Sequence, residues 1–160
     1  MSPRRGVLSA GTWCVDLNKT IRRWPPEDTS NEVIAIDRQN GGSGSNMAFD
    51  LKRLDPAIEV EGMGVVGDDD NGRFLLAECD RLGVDRKAMR VLAGGVTMCV
   101  DAFTVADTGR RTHFYFQGVA ADMTPEHFDF STTQAREMGS RRARTNALRP
   151  WVSVPRKPRV

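Results

Sequence analysis

Two histidines, one tyrosine and three cysteines are all that this 160-residue chain holds of those residue types. Cys14, Cys79 and Cys99 are odd in number, widely separated and outside any Cys-x-x-Cys spacing. They argue against a disulfide framework and a zinc site and for reduced thiols in a cytoplasmic setting. His113 and His127 each stand alone. No apolar run approaches the roughly 20 residues that span a bilayer, so no membrane partner is expected. The stretch from Gly6 to Ala10 is too short and too mixed for a signal-peptide core. Phosphate-binding signatures are missing as well. No Gly-Lys-Ser/Thr closes a Walker loop, and the dinucleotide pattern G-x-G-x-x-G fails because position 47 is Met. No G-x-S-x-G nucleophile elbow occurs. No internal repeat appears.

What is present suits one globular domain: 39% hydrophobic and 28% charged residues. The net charge of +2 conceals an asymmetry. Residues 132–160 carry eight Lys/Arg against Glu137 alone, leaving fifteen basic and twenty acidic side chains for residues 1–131. The two segments thus carry +7 and −5. Beyond about Glu137 neither the helical nor the strand period persists, and the sequence reads as a disordered basic tail.

In the first segment, residues 6–15 form a nearly continuous small and apolar run, as in a strand buried on both faces, ending at Asp16. Residues 19–24 and 32–37 are shorter, more polar strand candidates. After Asn40, glycines 41, 42 and 44 leave the backbone bare, and Met47, Ala48, Leu51 and Leu54 follow at helical spacing. Residues 58–66 read as a strand, and Gly67 to Asn71 as a turn and capping cluster. Residues 72–82 read as a helix with Phe74, Leu75, Cys79 and Leu82 inward, stopped by Gly83. Residues 96–106 and 111–117 flank Asp107-Thr108-Gly109 as a hairpin. Thr124-Pro125-Glu126 opens a further helix, with Phe128 and Phe130 on its apolar face.

A glycine turn feeding a helix suits a phosphate or the hydroxyls of a polyol, and equally an ordinary tight turn. Asp16 and Asn46 could each contact a ligand or merely cap a turn or helix. Trp13 reads as core. Phe114, Tyr115 and Phe116 alternate faces, so one face could meet ligand while the other packs. Asp68-Asp69-Asp70 reads as caps rather than a metal site.

The order of these features resembles the ribokinase-like (PfkB-type) carbohydrate kinases. The matching residues are Asp16, Gly41-Gly42-x-Gly44-x-Asn46 opening a helix, Gly64-Val65-Val66-Gly67-Asp68-Asp69, Leu82-Gly83-Val84-Asp85, and Phe116-Gln117-Gly118-Val119-Ala120. Asp55 departs from the family's usual glycine, and Pro56-Ala57 look like a short insertion. The resemblance implies a three-layer α/β/α, Rossmann-like domain, incomplete here, with a small β-sheet lid built from residues 19–24, 32–39 and 97–117. It implies that Asp16, Gly41, Gly42 and Asn46 bind a sugar. A carboxylate accepts two hydroxyls, the amide both donates and accepts, and glycine admits the ring.

ATP and Mg2+ are expected of the full-length family, but their site is not in this sequence. The family's late Gly-Ala-Gly-Asp type motif, with its catalytic Asp, has no counterpart here, so no catalytic residue is assigned. The expectation is therefore a sugar-binding half, residues 1–131, inactive alone, followed by a truncated or frameshifted end over 132–160. A homodimer through the lid is a further expectation. The alternatives are a non-catalytic sugar-binding or dimerising module, or nucleic-acid binding through the tail, which has no aromatic interleaving beyond Trp151.

Overall fold

The computed structural model describes residues 6–131, 133 and 137–138. Among these residues, eight strands and two α-helices run in the order β1 (Val7–Ala10), β2 (Cys14–Ile21), β3 (Val33–Gly41), α1 (Ser43–Leu54), β4 (Val60–Gly67), α2 (Asp70–Leu82), β5 (Asp85–Leu92), β6 (Cys99–Val105), β7 (Arg111–Phe116) and β8 (Glu137–Met138). They form two sheets. The central one is parallel, in the order β5-β4-β1-β8. The second, in the order β3-β2-β6-β7, is the lid expected from residues 19–24, 32–39 and 97–117.

The run over residues 6–15 is not one strand. It breaks after Ala10, and Asp16 belongs to the second sheet. Gly11 takes φ 153°, which a side chain would resist, and the indole of Trp13 swings inward to donate from Nε1 to Met63 O at 3.1 Å. Trp13 is 1% exposed and meets Phe49 edge-on at 5.7 Å. Three glycines make room for it. A Cβ on Gly44, Gly62 or Gly64 would collide with its ring.

Alternation in the central strands sorts the core onto two faces. Val60 and Val66 meet Ala48 and Phe49 of α1 and Leu75 and Cys79 of α2 on one face. Leu8, Ala10 and Met63 are buried on the other, where Phe128 packs. The inward face of α1 differs from the expected one. Ser45, Ala48, Phe49 and Lys52 point in, whereas Met47 and Leu54 are exposed. Of the expected residues Ala48 and the partly buried Leu51 do face the core, and Ser45, Ala48, Phe49 and Lys52 follow the i, i+3, i+4, i+7 spacing of one helix face.

Helix α2 is closed as expected by Gly83 in the left-handed conformation, φ 73°. At its start Asp69 is the N-cap, accepting from Gly72 N at 2.9 Å. The same carboxylate accepts from Thr97 Oγ1 at 2.6 Å and Thr97 N at 3.1 Å, and Thr97 Oγ1 accepts from Gly67 N at 2.9 Å. This network joins the end of β4, the start of α2 and the base of the lid hairpin. Asp68 accepts from Gly94 N, and Asp70 pairs with Arg73. Of the acidic triplet, Asp69 alone is a helix cap; Asp68 holds a loop N–H and Asp70 an ion pair.

Two further departures are local. Thr124-Pro125-Glu126 opens only a 3₁₀ turn, Pro125–His127, because the chain leaves helical conformation at Phe128. β5 carries no strand pattern in its sequence. Its Asp85, Arg86, Lys87 and Arg90 mask Ala88 and Met89, which enter the core on opposite faces of the sheet edge. Of the segment read as a tail, Glu137 and Met138 pair in parallel with β1. Apart from these and residue 133, the segment lies outside the described residues.

The departure at Asp55-Pro56-Ala57 is anchored by Lys52. This side chain, 9% exposed near the end of α1, donates to Pro56 O at 2.6 Å and Ile58 O at 3.0 Å. A cation there also favours the negative end of the helix. Lys52→Met keeps the stem and removes the donors. It is expected to cost about 1–3 kcal/mol in urea unfolding. An unchanged midpoint would show that water replaces the ammonium without loss.

Candidate functional site

Beyond the carboxyl end of β1, where open α/β sheets present ligands, the chain enters β2 and carries Asp16 over the glycine turn. Asp16 and Cys14, two residues apart, lie on one face of β2. Across the antiparallel ladder Cys14 is opposite Gly41 and Asp16 opposite Gln39. Gly41 is buried, and a Cβ there would overlap the Asp16 carboxylate. The carboxyl group therefore lies across the bare backbone of the turn.

Gly42 is the N-cap of α1 with φ 92°, and a Cβ on it would stand 2.5 Å from Thr12 O. The first donors of α1 are already taken. Gly44 N donates to Thr12 O at 2.9 Å and Ser43 N to Thr12 Oγ1 at 3.2 Å. A helix start closed in this way is not an open phosphate cradle. Asn46 follows in the first turn, its Oδ1 accepting from Asn40 Nδ2 at 2.8 Å. The structure thus brings Asp16, Gly41 and Gly42 together and fixes Asn46 through a neighbour that sequence reading did not single out.

The electrostatics of Asp16 are set by few groups. Burial pushes its carboxyl above the ordinary value, opposed by the Cys14 thiol and by His113. The thiol donates to Oδ1 at 3.5 Å. His113 reaches the site through strand register. β2 pairs with β6, and β6 with β7, so Gln39, Asp16, Val100 and Tyr115 form one row, with Asp37, Asn18, Ala102 and His113 in the next. This face of the lid is polar. On the other face Phe114 stacks on Trp24 at 6.1 Å and meets Phe103 edge-on. The aromatic strand thus divides as expected, Tyr115 on the Asp16 face and Phe114 on the other, but neither face is packed: Phe114, Tyr115 and Phe116 are all exposed. Neither Cys14 nor His113 carries a motif: Cys14 shares the Asp16 face through the two-residue period of β2, and pairing register across β6 sets His113 on that face.

Two cavities lie elsewhere. One of about 730 Å³ opens at the amino ends of β1, β4 and β5 and is lined by Lys52, Glu59, Glu61, Asp85, Lys87 and Arg90 among others. Its charges are of both signs, and Lys87 pairs with Asp85. The other, about 400 Å³, lies between Arg38, Arg53, Phe74 and Glu78. Neither contains Asp16. The glycine turn is the candidate site because a partly buried carboxylate meets unscreened backbone there. Among the described residues no three His, Cys, Asp or Glu side chains converge as a metal-binding group, and no helix is long and apolar enough to cross a membrane.

The family model described as "pfkB family carbohydrate kinase" matches residues 5–142. An ATP-dependent ribose-1-phosphate kinase of Halopiger xanaduensis is 32% identical over 123 residues, covering 77% of this chain and 40% of that enzyme. The ketohexokinase of Mus musculus is 24% identical, covering 77% of this chain and 41% of that one. Among solved structures, ribokinase from Thermotoga maritima superposes with a TM-score of 0.73 at 17% identity, covering 84% of this chain and 44% of that one. Ribokinase from Cryptococcus neoformans gives 0.66 at 20% identity, over 81% and 40%. These likenesses place the fold as ribokinase-like, and the chain spans about two fifths of the length of these relatives.

Proposed function

The chain belongs to the pfkB family of carbohydrate kinases, and from that premise we propose that residues 6–131 form the sugar-recognising part of an ATP-dependent kinase. The observation that carries this reading is the Asp16 carboxylate lying over Gly41, at the junction of the central sheet and the lid. There the carboxylate accepts two hydroxyls of a sugar, Gly41 and Gly42 let the ring approach the backbone, and Asn46 supplies its remaining amide donors. The ligand class is a pentose, a hexose or a close derivative.

Among the described residues, neither helix start fits a nucleotide phosphate. Two first-turn donors of α1 are taken by Thr12, the start of α2 carries the Asp69 carboxylate, and no Gly-Ala-Gly-Asp stretch occurs in the sequence. No step of phosphoryl transfer is therefore assigned to it. ATP and Mg2+ belong to the reaction of the whole family member, which needs donors and a base beyond those present.

Calorimetry of the 160-residue chain with a panel of pentoses, hexoses and ribose 1-phosphate tests the reading. Saturable binding of at least one of these sugars, with no ADP released when ATP and Mg2+ are added, is the expected result. Sugar-dependent ADP release would overturn the inactivity, and silence across the panel would overturn the sugar site. A dimerising role is favoured by one observation. Trp24, Ile36 and Phe114 are exposed, at 46%, 67% and 54%, on the outer lid face beside Phe103. Such a patch suits a second copy of the chain. Sedimentation equilibrium on the same samples would report it, with Phe114→Ser expected to weaken association.

A further inference from the structure

We propose that Cys14 is a positioning residue for Asp16: its thiol hydrogen and the space left by Gly41 hold the carboxylate over the glycine turn, aimed at incoming hydroxyls. The inference rests on the sugar-site reading for its functional consequence, but not for its geometry. Cys14 is 3% exposed and directly opposite Gly41 in the ladder. With no side chain opposing it, the space above Gly41 receives the Asp16 carboxylate from the next position along the same face. The thiol then donates to Oδ1, at 3.5 Å.

The chemistry of the pair explains why a thiol suits the place. Burial, and then the charge of Asp16, push the thiol up to about 12. At neutral pH it therefore remains S–H, a donor and not a nucleophile. An ionised carboxylate offers about four lone-pair sites. Among the described residues Asp16 receives one hydrogen bond, and that from a weak donor. The remaining acceptor capacity of a partly buried carboxylate faces the turn, which suits a ligand rich in hydroxyl donors. A stronger protein donor would occupy the group; none at all would leave it free to rotate into the gap or away from it.

Few other charges face the carboxylate. β2 itself contributes Cys14, β3 contributes Gln39 with Asp37 in the next row, β6 contributes Val100, and β7 contributes Tyr115 and His113. Of these the Cys14 thiol and His113 lower the Asp16 value against burial. Removing the thiol therefore raises the carboxyl titration, and a hydroxyl in its place restores it.

The test is a carbon-13 carboxyl NMR titration of Asp16 in the full 160-residue chain, comparing wild type, Cys14→Ala and Cys14→Ser, with Asp16→Asn for assignment. Cys14→Ala is expected to raise the midpoint by about half a pH unit, as loss of a weak hydrogen bond to a charged group implies. Cys14→Ser is expected at or below the wild-type midpoint. A wild-type midpoint in Cys14→Ala, or one above it in Cys14→Ser, would overturn the proposal. The serine arm still decides if the alanine variant does not fold.

Sugar affinity supplies a second readout. Hydroxyls donate to the ionised form, so the acid limb of binding moves to higher pH in Cys14→Ala. The affinity at pH 7 falls about fivefold, and Cys14→Ser recovers it. A merely structural cysteine would lower the melting temperature without moving that limb. If Asp16→Asn binds sugar as wild type does, the sugar-site reading fails while the titration result stands.

Discussion

Asp69→Ala is expected to lower the stability of this chain by about 3–7 kcal/mol, since it removes a helix cap and strands two buried donors together. The cap alone, Gly72 N on Oδ1, is worth about 1 kcal/mol. Thr97 is fully buried, and both its N–H and its hydroxyl donate to the same carboxylate. Each becomes an unsatisfied buried group in the alanine variant, at about 1–3 kcal/mol apiece. Against a typical total of roughly 5–15 kcal/mol, such a loss is near the limit of tolerance. Urea unfolding followed by circular dichroism measures it, with Thr97→Val as the smaller companion change.

The same residue predicts an acid limb. Burial works against the charged form of Asp69, but the hydrogen bonds from Thr97 and Gly72 outweigh it and hold the carboxyl below the ordinary value of 3.8. A depressed folded value means that the contribution is complete above pH 3.8 and is lost as the pH falls below it, towards the folded value. Asp69→Asn, which has no charge to titrate, should flatten that limb. An identical acid transition in Asp69→Asn would remove Asp69 from the account.

Gly41→Ala is expected to lower sugar affinity about a hundredfold while leaving the fold nearly intact. The three atoms nearest the new Cβ all belong to the Asp16 carboxyl group, which can rotate away and leave the site. Gly42→Ala differs in kind. There the backbone has φ 92° and the obstacle is Thr12 O, a main-chain atom, so the turn itself must deform. That substitution should cost about 2–4 kcal/mol of stability as well as binding. Calorimetry and thermal melts on both variants separate the two. Equal stability losses would show that Gly41 is required by the turn and not by the carboxylate.

The lid hairpin was legible because Asp107-Thr108-Gly109 sits between alternating strands, and Gly109 does adopt φ 64°. The α2 boundaries were legible because capping chemistry is local: Asp69 before, Gly83 after. The break at Gly11 was not. A small apolar run has the same composition whether it crosses one sheet or passes between two, and the decision lies with Trp13 and Met63, fifty residues apart. β5 was hidden because an edge strand needs only Ala88 and Met89 inward and tolerates charge elsewhere. At the site, glycine and Asp16 could be marked from residue type and order. Cys14 could not, because nothing in its immediate sequence says that residue 41, opposite, lacks a side chain. Pairing register is long-range information.

Trp13 has a consequence for how this chain can vary. One indole fills the space left by Gly44 of α1 and by Gly62 and Gly64 of β4, while its ring nitrogen ties the first crossing to the strand beside it. None of those three glycines can gain a side chain while the tryptophan stays, and a smaller residue at 13 would leave a void beside them. The four positions form a single steric unit, so a viable change at one would have to arrive with changes at the others. Paired substitutions, Trp13→Phe with Gly62→Ala for instance, should be less damaging than the sum of their parts.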